Sequence, residues 1–443
     1  MRKRFHLLLT VLVTALTVGA TVALARTSGG APASARTVKL QVLGHADPGG
    51  GYSADVFGHR GYAYLGSWHG AECPAQGVRV YDVRNPRRPV RVASFADRAS
   101  DPSVAGTWTE KVIVRRVAGA HFRGDLAVAS FQACRDGAFQ GFGLYDVTDP
   151  AKPRRLALFR TEPRGSHELW LGTRGGRVYV YTAIPWSELY SAPDYNRRSR
   201  TAQTPGLPGF RIVDVSDPTT PVQVGAWGAW TELGINPRQG RGRVLNANIV
   251  HSVITDPAGT RAYISYWDLG TVILDITDPT RPRYLGRTSH LAGEEGDAHS
   301  AALGAGGKLL VETHEVRQGS PTLYDLSDPR APRRLSNFRL PRGAIGGTQG
   351  GRGLDSLTDS VHDPKVVGTR AYFSWFGQGV VVADIADPAR PRCRGQFVPP
   401  AAESPDGRLC GDRPCAMVWG VSPQPDFVLA SDMLSGLWVL RAQ

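Results

Sequence analysis

The stretch Tyr81-Asp82-Val83-Arg84-Asn85-Pro86-Arg87-Arg88-Pro89 decides the fold of this chain, because its pattern occurs six times. The pattern begins with an apolar residue, Asp and a second apolar residue. One variable position follows, and then an acid or Asn and the sequence Pro-x-x-Pro. Its aspartates are 64, 68, 61, 50 and 59 residues apart, and they are Asp82, Asp146, Asp214, Asp275, Asp325 and Asp384. A fixed phrase at such spacing indicates one supersecondary unit repeated along the chain.

Short runs of alternating apolar and polar residues surround each phrase. Residues 77–83 lead into the first phrase and residues 89–95 follow it, and both runs are typical of strands. Between them, Asn85-Pro86 is typical of the first two positions of a type I turn. Two more strands precede the phrase in most units, as in residues 251–254 and 262–266. Four antiparallel strands per unit, with no helix between units, predict the blade of a β-propeller.

The two ends of the chain predict a closed ring of seven blades. Residues 432–440 carry the end of the second strand and the third strand of a seventh unit, and residues 38–44 resemble a fourth strand. An N-terminal strand that completes the C-terminal blade removes the open sheet edges. The alternative is an open stack of sheets. We therefore predict one all-β domain, a seven-bladed β-propeller of four-stranded antiparallel blades, over residues 36–443. The expected blades span approximately residues 50–97, 107–160, 166–228, 247–288, 297–340, 359–398, and 416–441 plus 37–44.

The repeated phrases resemble those of the LVIVD-repeat β-propellers, which are secreted or surface proteins whose repeat ends in Val-Asp-Val-Ser-Asp-Pro-x-x-Pro. Residues 212–218, Ile-Val-Asp-Val-Ser-Asp-Pro, nearly match that ending, and residues 418–421 and 431–437 are also typical of the family. The resemblance covers all seven units and implies the propeller fold. It implies no settled activity, so no functional residue is carried over from the family.

Residues 1–35 have the composition of a secretory signal peptide. Basic residues and an apolar stretch from Leu7 to about Ala25 precede a small-residue cleavage site, Ala33-Ser34-Ala35. Cleavage there leaves Arg36 as the first residue and predicts a secreted or cell-surface protein with no membrane span. Because the apolar run is about 18 residues long, an uncleaved membrane anchor is the alternative.

The chain is basic, with a formal net charge of +13. Loss of the signal peptide removes four basic residues and no acid, which leaves +9. Only six of the 52 basic residues are lysines, and the arginines are scattered through turns instead of forming a run. This distribution is compatible with an anionic glycan or cell-wall partner. It does not favour nucleic acid, which basic residues interleaved with aromatic residues would bind.

Five cysteines in an exported chain predict disulfides. Cys73 and Cys134 each follow the second strand of neighbouring blades, so we expect them to form one bond. Cys410 and Cys415 could close a small loop and leave Cys393 free. Pairing of Cys393 with either of them is the alternative.

Long insertions are predicted at one edge of the propeller. The edge at which each first strand begins carries the crossings between blades and the loops between second and third strands. The opposite edge carries mostly short turns. Four insertions on the first edge exceed the usual connection length, and they span residues 184–209, 228–246, 341–358 and 398–415. Long loops on a rigid scaffold are often functional, so this loop-rich face is the expected working surface.

Histidines recur at the starts of the first strands. Four of the seven blades have one there, and these are His167, His251, His299 and His362; the other blades have Glu110, Trp419 and a residue near Ser53. Because first strands line the channel of a propeller, we expect these side chains to converge at the channel mouth on the loop-rich face. Further acids and histidines are expected near this edge, and they are His69, Asp268, Glu294, Glu295, Asp297, His314, Glu315, Asp355, Asp359, Asp363 and Asp432.

Imidazoles and carboxylates that converge in a channel suit a transition metal such as Zn, Cu or Fe. The alternative is structural, because a repeated histidine could bond to the backbone of the next blade. The sequence contains no HExxH, paired CxxC or contiguous Asp-rich calcium loop, and no motif indicates catalytic residues. Metal binding is therefore a hypothesis at this stage.

Three hypotheses for the function follow. The first is an exported, monomeric binding scaffold that takes an extracellular protein or glycan through its loop-rich face. The alternative is a metal-dependent enzyme with its site at the histidine-lined channel mouth, and the third is a structural module without a small ligand. The repeated aspartates are expected to be scaffold that accepts hydrogen bonds between strands. The ligand, the metal and the existence of an enzymatic activity are left open by the sequence.

Overall fold

The computed structural model describes residues 38–441 except 71, 72, 74, 242–245, 293, 295, 317, 318, 341–359, 411 and 412. The described chain begins with β1 (Val38–Lys39) and β2 (Gln41–Ala46). The expected signal peptide and the insertion at 341–358 lie outside the described residues. Within the part of the chain that the structure describes, no helix has the length and apolar character needed to cross a bilayer.

Seven four-stranded antiparallel blades follow one another along the chain, as the sequence predicts. The first contains β3 (Tyr52–His59), β4 (Tyr62–Trp68), β5 (Val78–Asp82) and β6 (Val90–Phe95). In the second, β7 (Thr107–Trp108) precedes β8 (Val112–Ala118), β9 (Arg123–Ala133), β10 (Gly141–Asp146) and β11 (Arg154–Arg160). The third contains β12 (Leu169–Arg174), β13 (Arg177–Ala183), β14 (Phe210–Asp214) and β15 (Val222–Trp227).

The remaining four blades repeat this order of strands. The fourth contains β16 (Ser252–Thr255), β17 (Arg261–Ser265), β18 (Thr271–Asp275) and β19 (Arg283–Arg287). The fifth contains β20 (Ala298–Gly304), β21 (Leu309–His314), β22 (Thr322–Asp325) and β23 (Arg333–Asn337). The sixth contains β24 (Asp363–Val367), β25 (Arg370–Trp375), β26 (Gly379–Asp384) and β27 (Arg392–Phe397). The seventh contains β28 (Val418–Pro423), β29 (Val428–Asp432) and β30 (Gly436–Arg441), with β2 outermost.

Among the described residues, helical structure is confined to connections. Two short α-helices, α1 (Ser187–Tyr190) and α2 (Ala229–Leu233), lie in two of the long insertions. Single 3-10 turns span Pro102–Val104 and Ala305–Gly307. The strands therefore form the scaffold, and the helices belong to the loops mounted on it.

The ring closes through the N-terminal strand. Strand β2 pairs antiparallel with β30, which confirms the predicted closure. The expected strand at 38–44 is nevertheless divided, because β1 pairs in parallel with β27 of the sixth blade and only the following residues join the seventh. Leu40 is buried between the sixth and seventh blades and Leu43 between the seventh and first. Burial of these two leucines in different junctions explains why the chain crosses from one blade to the next.

Apolar side chains fill every junction between neighbouring blades. At the closing junction, Leu437 and Val439 of the seventh blade pack with Val56 and Leu65 of the first. A separate buried cluster spans each of the six other junctions. Because each blade buries its two faces against its two neighbours, the ring is continuous and no blade is packed on one face alone.

The six repeated phrases form the turns between third and fourth strands. In the first, Asp82 Oδ1 accepts a hydrogen bond from Arg84 N at 3.0 Å, and Asn85 Oδ1 accepts one from Arg87 N at 3.1 Å. The other five phrases repeat both bonds at equivalent positions. The backbone bonds of these aspartates thus lie within their own turn and not between strands, and arginines of the fourth strand add ion pairs to several of them.

Two disulfides are present, as expected for this composition. Cys73–Cys134 joins loops of the first and second blades, and Cys410–Cys415 closes a small loop before the seventh blade. Cys393 on β27 is free and buried. The first bond therefore links two neighbouring blades, and the second constrains one loop.

Candidate functional site in the central channel

Irregular pairing at the starts of several first strands positions the channel residues. In β20 the pairing skips His299, and in β28 it skips Trp419. A bulged residue does not take part in the hydrogen bonds between the strands, and the bulge changes the direction of its side chain. Both residues therefore turn toward the channel. In the seventh blade, the hydroxyl of Ser431 on the second strand accepts a hydrogen bond from the freed Gly420 N–H at 2.9 Å.

Sequence analysis missed the hydroxyls of the second strands, although they recur in every blade. The buried residues concerned are Ser67, Ser130, Thr182, Ser265, Thr313, Ser374 and Ser431. In the second and sixth blades, Ser130 and Ser374 accept from the backbone N–H groups of Lys111 and Asp363, each at 3.0 Å. Ser or Thr at one position of all seven second strands was the available signal.

The four predicted histidines form a contiguous row across four blades. Ring centroids are 4.3 Å apart for His167 and His251, 4.0 Å for His251 and His299, and 4.3 Å for His299 and His362. His299 and His362 are each 1% exposed and His251 is 7% exposed. Three of the four rings are therefore buried, and His167 at one end of the row is partly exposed, with a side chain of 12% exposure.

Glu110 of the second blade connects the two ends of the histidine row. Its Oε2 lies 2.6 Å from His167 Nδ1 and its Oε1 lies 3.7 Å from His362 Nε2. Burial alone would raise the pKa of Glu110, but the two imidazoles lower it overall. In turn, Glu110 raises the pKa of both imidazoles despite their burial. The two ends of the row therefore share one carboxylate, which favours the charged form of both imidazoles.

The two central histidines, His251 and His299, have lowered pKa values. Burial and the neighbouring imidazoles hold the pKa values of His251 and His299 well below the ordinary range, so both rings are neutral at pH 7. His299 Nδ1 donates to the His362 carbonyl oxygen at 2.8 Å, which leaves the lone pair on Nε2, 3.4 Å from Glu315 Oε2. Burial raises the pKa of Glu315 to about 7. Neutral imidazole is the form that binds metal ions.

His251, His299 and Glu315 are one of two groups that could hold a metal ion among the described residues. Their ligand atoms all lie within 4.8 Å of one another, and all three residues are buried. His251 Nδ1 is buried without a hydrogen-bond partner in the described part of the chain. Two imidazoles and one carboxylate match ligand sets of zinc and of non-haem iron, so these residues fit the expected class of metal.

Aromatic side chains enclose the histidine row. Trp267 lies 5.1 Å from the His251 ring, and Trp419 and Phe376 lie 4.2 and 5.3 Å from His362. Trp267 and Phe376 have positive φ angles of 46° and 20°, which residues other than glycine rarely adopt. Such strained backbone persists where the surroundings enforce it and is common at functional sites.

The second candidate group, His290, Glu312 and His314, is a closed hydrogen-bond node. Both imidazoles contact Glu312 Oε1 through Nε2, at 3.2 and 2.9 Å. Glu312 Oε2 accepts three more hydrogen bonds, from the Thr271 backbone and from the hydroxyls of Thr271 and Thr288. These hydrogen bonds already satisfy the buried Glu312 carboxylate. The group therefore joins blades four and five.

The other predicted residues take separate places. His69 packs against Trp68 with ring centroids 4.0 Å apart and the rings tilted by 32°, outside the histidine row. Asp432 accepts backbone hydrogen bonds from Met417, Leu434 and Ser435 and is structural. Asp297 is buried at the entry to β20, and its carbonyl accepts from Glu315 N. Asp359, together with Glu295 and Asp355, lies outside the described residues.

An ion-pair network crosses the channel next to the histidines, and sequence analysis did not predict it. Lys111 Nζ lies 3.0 Å from Asp55, 3.2 Å from Glu168 and 3.2 Å from Asp363. The three carboxylates raise the pKa of Lys111 well above the ordinary range although burial alone would lower it. Lys365 makes a further ion pair with Asp363. The network connects blades one, two, three and six and separates the histidine row from the rest of the channel.

Two of the long loops form an ordered platform on the histidine side of the ring. Buried Glu188 of α1 accepts hydrogen bonds from the backbone of Trp230 and Thr231, at 3.3 and 2.9 Å, and from the Tyr266 hydroxyl at 3.1 Å. Its carboxylate thus satisfies free N–H groups at the start of α2. Trp186 packs with Trp267, which contacts the histidine row.

Aromatic rings and guanidinium groups form a surface patch on this platform. Trp186, Tyr190 and Tyr195 are partly exposed, with successive ring centroids 6.0 and 5.2 Å apart. The Arg164 guanidinium lies 4.7 Å from the Tyr190 ring and that of Arg238 lies 5.0 Å from Trp186. These five residues are called the aromatic–arginine patch below. Further exposed arginines on the same loops are Arg197, Arg198, Arg200 and Arg241.

Comparison with known families gives one match. The family model described as LVIVD repeat matches residues 208–227 and 258–289. The first segment covers β14 and β15 and the second covers β17 to β19, so both contain the aspartate turn and its flanking strands. No curated protein matches the chain.

Proposed function

Because the protein is a seven-bladed β-propeller with LVIVD repeats, we propose that it is an exported scaffold that binds an anionic extracellular protein or glycan. The aromatic–arginine patch carries this proposal. Tyr, Trp and Arg are the residues that contribute most to binding energy at protein interfaces. The Glu188 hydrogen bonds hold the patch in place before a partner arrives, which limits the entropy lost on binding.

Charge defines the expected partner. Exposed arginines outnumber the acids on these loops, and Asp194 already accepts hydrogen bonds from Gln203 and Thr204. A partner that carries several carboxylate or sulfate groups would therefore be attracted to this face. Two disulfides are consistent with a protein exported to an oxidising compartment, which supports the extracellular assignment.

Binding of heparin and of polyglutamate tests the proposal. We expect both probes to bind, and Arg164→Ala/Arg238→Ala to weaken binding by roughly fivefold, or about 1 kcal/mol. The control is Arg281→Ala/Arg330→Ala, which removes two exposed arginines from the opposite edge. Equal losses in the two double variants would mean that net charge alone attracts the probes, and the proposal would then fail. Binding constants from biolayer interferometry at several salt concentrations distinguish these results.

A second candidate function is metal-dependent chemistry at the histidine row. The observation that favours it is the group His251, His299 and Glu315, whose ligand atoms lie within 4.8 Å of one another. A bound zinc or iron ion would supply a Lewis acid there. Trp267, Phe376 and Trp419 would exclude water, and Glu110 would hold the outer imidazoles in place.

Elemental analysis of the purified protein tests this candidate. We expect about one equivalent of zinc or iron, lost in His251→Ala/His299→Ala because two ligands are removed. His45→Ala/His121→Ala removes two exposed histidines and should keep the metal. Absence of metal from the wild type after incubation with zinc or ferrous salts would reject the candidate. The binding proposal for the loop-rich face would be unaffected by that outcome.

A further inference from the structure

The channel widens into a cavity on the side of the ion-pair network away from the histidines. Its volume is about 370 Å³, which lies within the range of about 300–1,000 Å³ for small-molecule pockets. Pro257, in the connection between β16 and β17, and Val367, the last residue of β24, line its outer end and are exposed. The cavity therefore opens at the edge of the short turns, opposite the loop-rich face.

Apolar walls and a charged floor characterise the cavity. Phe57, Ile113, Trp170 and Ile254 line its sides, each from the first strand of a different blade. The floor is formed by residues of the ion-pair network. An apolar body with one polar end would match this division, because the walls offer little hydrogen bonding and the floor offers charge.

The floor carries an excess of negative charge. The charged side chains that line the cavity are Asp55, Glu168 and Asp363 together with Lys111 and Lys365. Three carboxylates therefore face two ammonium groups. Lys365 is engaged by Asp363, and Lys111 is shared by all three carboxylates. Among the residues that line the cavity, one carboxylate is therefore left without a cation of its own.

Glu168 is one of two floor carboxylates whose ion pair, within the described residues, is with Lys111 alone; the other is Asp55. The Glu168 side chain is 4% exposed and lines the cavity, so it is removed from bulk water. Within the described residues its carboxylate contacts one partner, Lys111 Nζ, through Oε1. Asp363, by contrast, is paired with both lysines. A buried carboxylate with a single shared partner is costly, which a second cation would relieve.

We propose that this cavity binds a small organic cation, with its ammonium group at Glu168 and its apolar body along Phe57 and Trp170. An ammonium donates charge-assisted hydrogen bonds to the free capacity of the carboxylate and balances the floor. Trp170 lies on β12, two residues after Glu168, and lines the same cavity; the Arg115 guanidinium already lies 4.7 Å from its ring, which shows that this ring accepts a cation. A calcium ion is a poorer match, because it needs six to eight oxygen ligands and the walls are apolar. An anion would be repelled by the Glu168 carboxylate.

Isothermal titration calorimetry with three probes of similar shape tests the proposal. The probes are n-hexylammonium, n-hexanol and hexanoate, which differ in charge and share the apolar chain. We expect n-hexylammonium to bind at least tenfold more tightly than either of the others, the equivalent of about 1.4 kcal/mol. Equal binding of hexanol would show that the cavity is a general apolar pocket and would overturn the proposal. Failure of all three probes to bind in the millimolar range would also overturn it.

Two variants locate the site. Glu168→Gln keeps the side-chain shape and leaves two carboxylates with two lysines, so the variant should fold and should bind n-hexylammonium at least tenfold more weakly. Glu162→Gln removes an exposed carboxylate of 65% exposure and should bind like the wild type. Ala302→Phe fills the cavity from the fifth blade without changing its charge and should abolish binding. Unchanged n-hexylammonium binding in folded Glu168→Gln, or in folded Ala302→Phe, would place the ligand elsewhere and contradict the proposal.

Discussion

At the scale of single residues, charge burial distinguishes the channel from the rest of the propeller. Lys111 Nζ is within 3.2 Å of three carboxylates, and its side chain is 6% exposed. Removing one partner of a buried ion pair leaves the others without compensation, which costs more than the pair itself contributes. Lys111 of the second blade therefore holds together carboxylates of three other blades, which would otherwise repel one another.

Replacement of Lys111 by Met should be strongly destabilising. The change leaves Asp55, Glu168 and Asp363 buried, with only Lys365 to balance them. We expect the free energy of unfolding to fall by about 3–5 kcal/mol, measured by chemical denaturation. Lys152→Met, at an exposed position in a turn, should change it by less than about 0.5 kcal/mol. Similar effects of the two substitutions would contradict this account of the network.

At the scale of elements, the repeated phrase works through local hydrogen bonds. Asp325 Oδ1 accepts from the Ser327 backbone at 2.9 Å and from its hydroxyl at 2.6 Å, and Asp325 Oδ2 accepts from Arg333 at 2.9 Å. These bonds lower the pKa of Asp325 to about 2. Because all of these partners lie within eight residues of Asp325 in the sequence, the turn can be predicted from the sequence alone.

The pH dependence of this turn follows from the lowered pKa. Since the folded-state pKa of Asp325 is below the unfolded value, its stabilisation is present above about pH 4 and is lost as pH falls toward about 2. Asp325→Asn keeps an acceptor for the Ser327 backbone but does not titrate. We expect the wild type to melt at a slightly higher temperature than this variant at about pH 5, and the difference to shrink by about pH 3.

Asp325→Ala, which also lacks the acceptor, is the companion variant. It should lose about 0.5–1 kcal/mol relative to the wild type at about pH 5, more than Asp325→Asn loses. A melting difference between wild type and Asp325→Asn that grows on acidification would show that the aspartate is not stabilised in its charged form.

At the scale of the whole molecule, the ring depends on the pairing of β2 with β30. A chain that begins at residue 47 lacks this strand, so β30 becomes an open edge. We expect the truncated protein to melt at a lower temperature and to self-associate on size exclusion, compared with a chain that begins at residue 36. A peptide of residues 36–47 added in trans should reverse both effects. Identical melting of the two chains would mean that closure does not stabilise the propeller.

The sequence by itself determined the propeller, its seven blades and the histidine position, because these depend on local turn bonds and on a repeated register. Tertiary structure alone decided the burial of the histidines, the Lys111 network and the cavity beneath it. Glu168 of the neighbouring blade lies 57 residues from Lys111, and Asp363 of the sixth blade lies 252 residues away and meets it only when the ring has closed. Contacts between side chains of non-adjacent blades leave no periodic pattern along the chain, and so pattern analysis could not have found them.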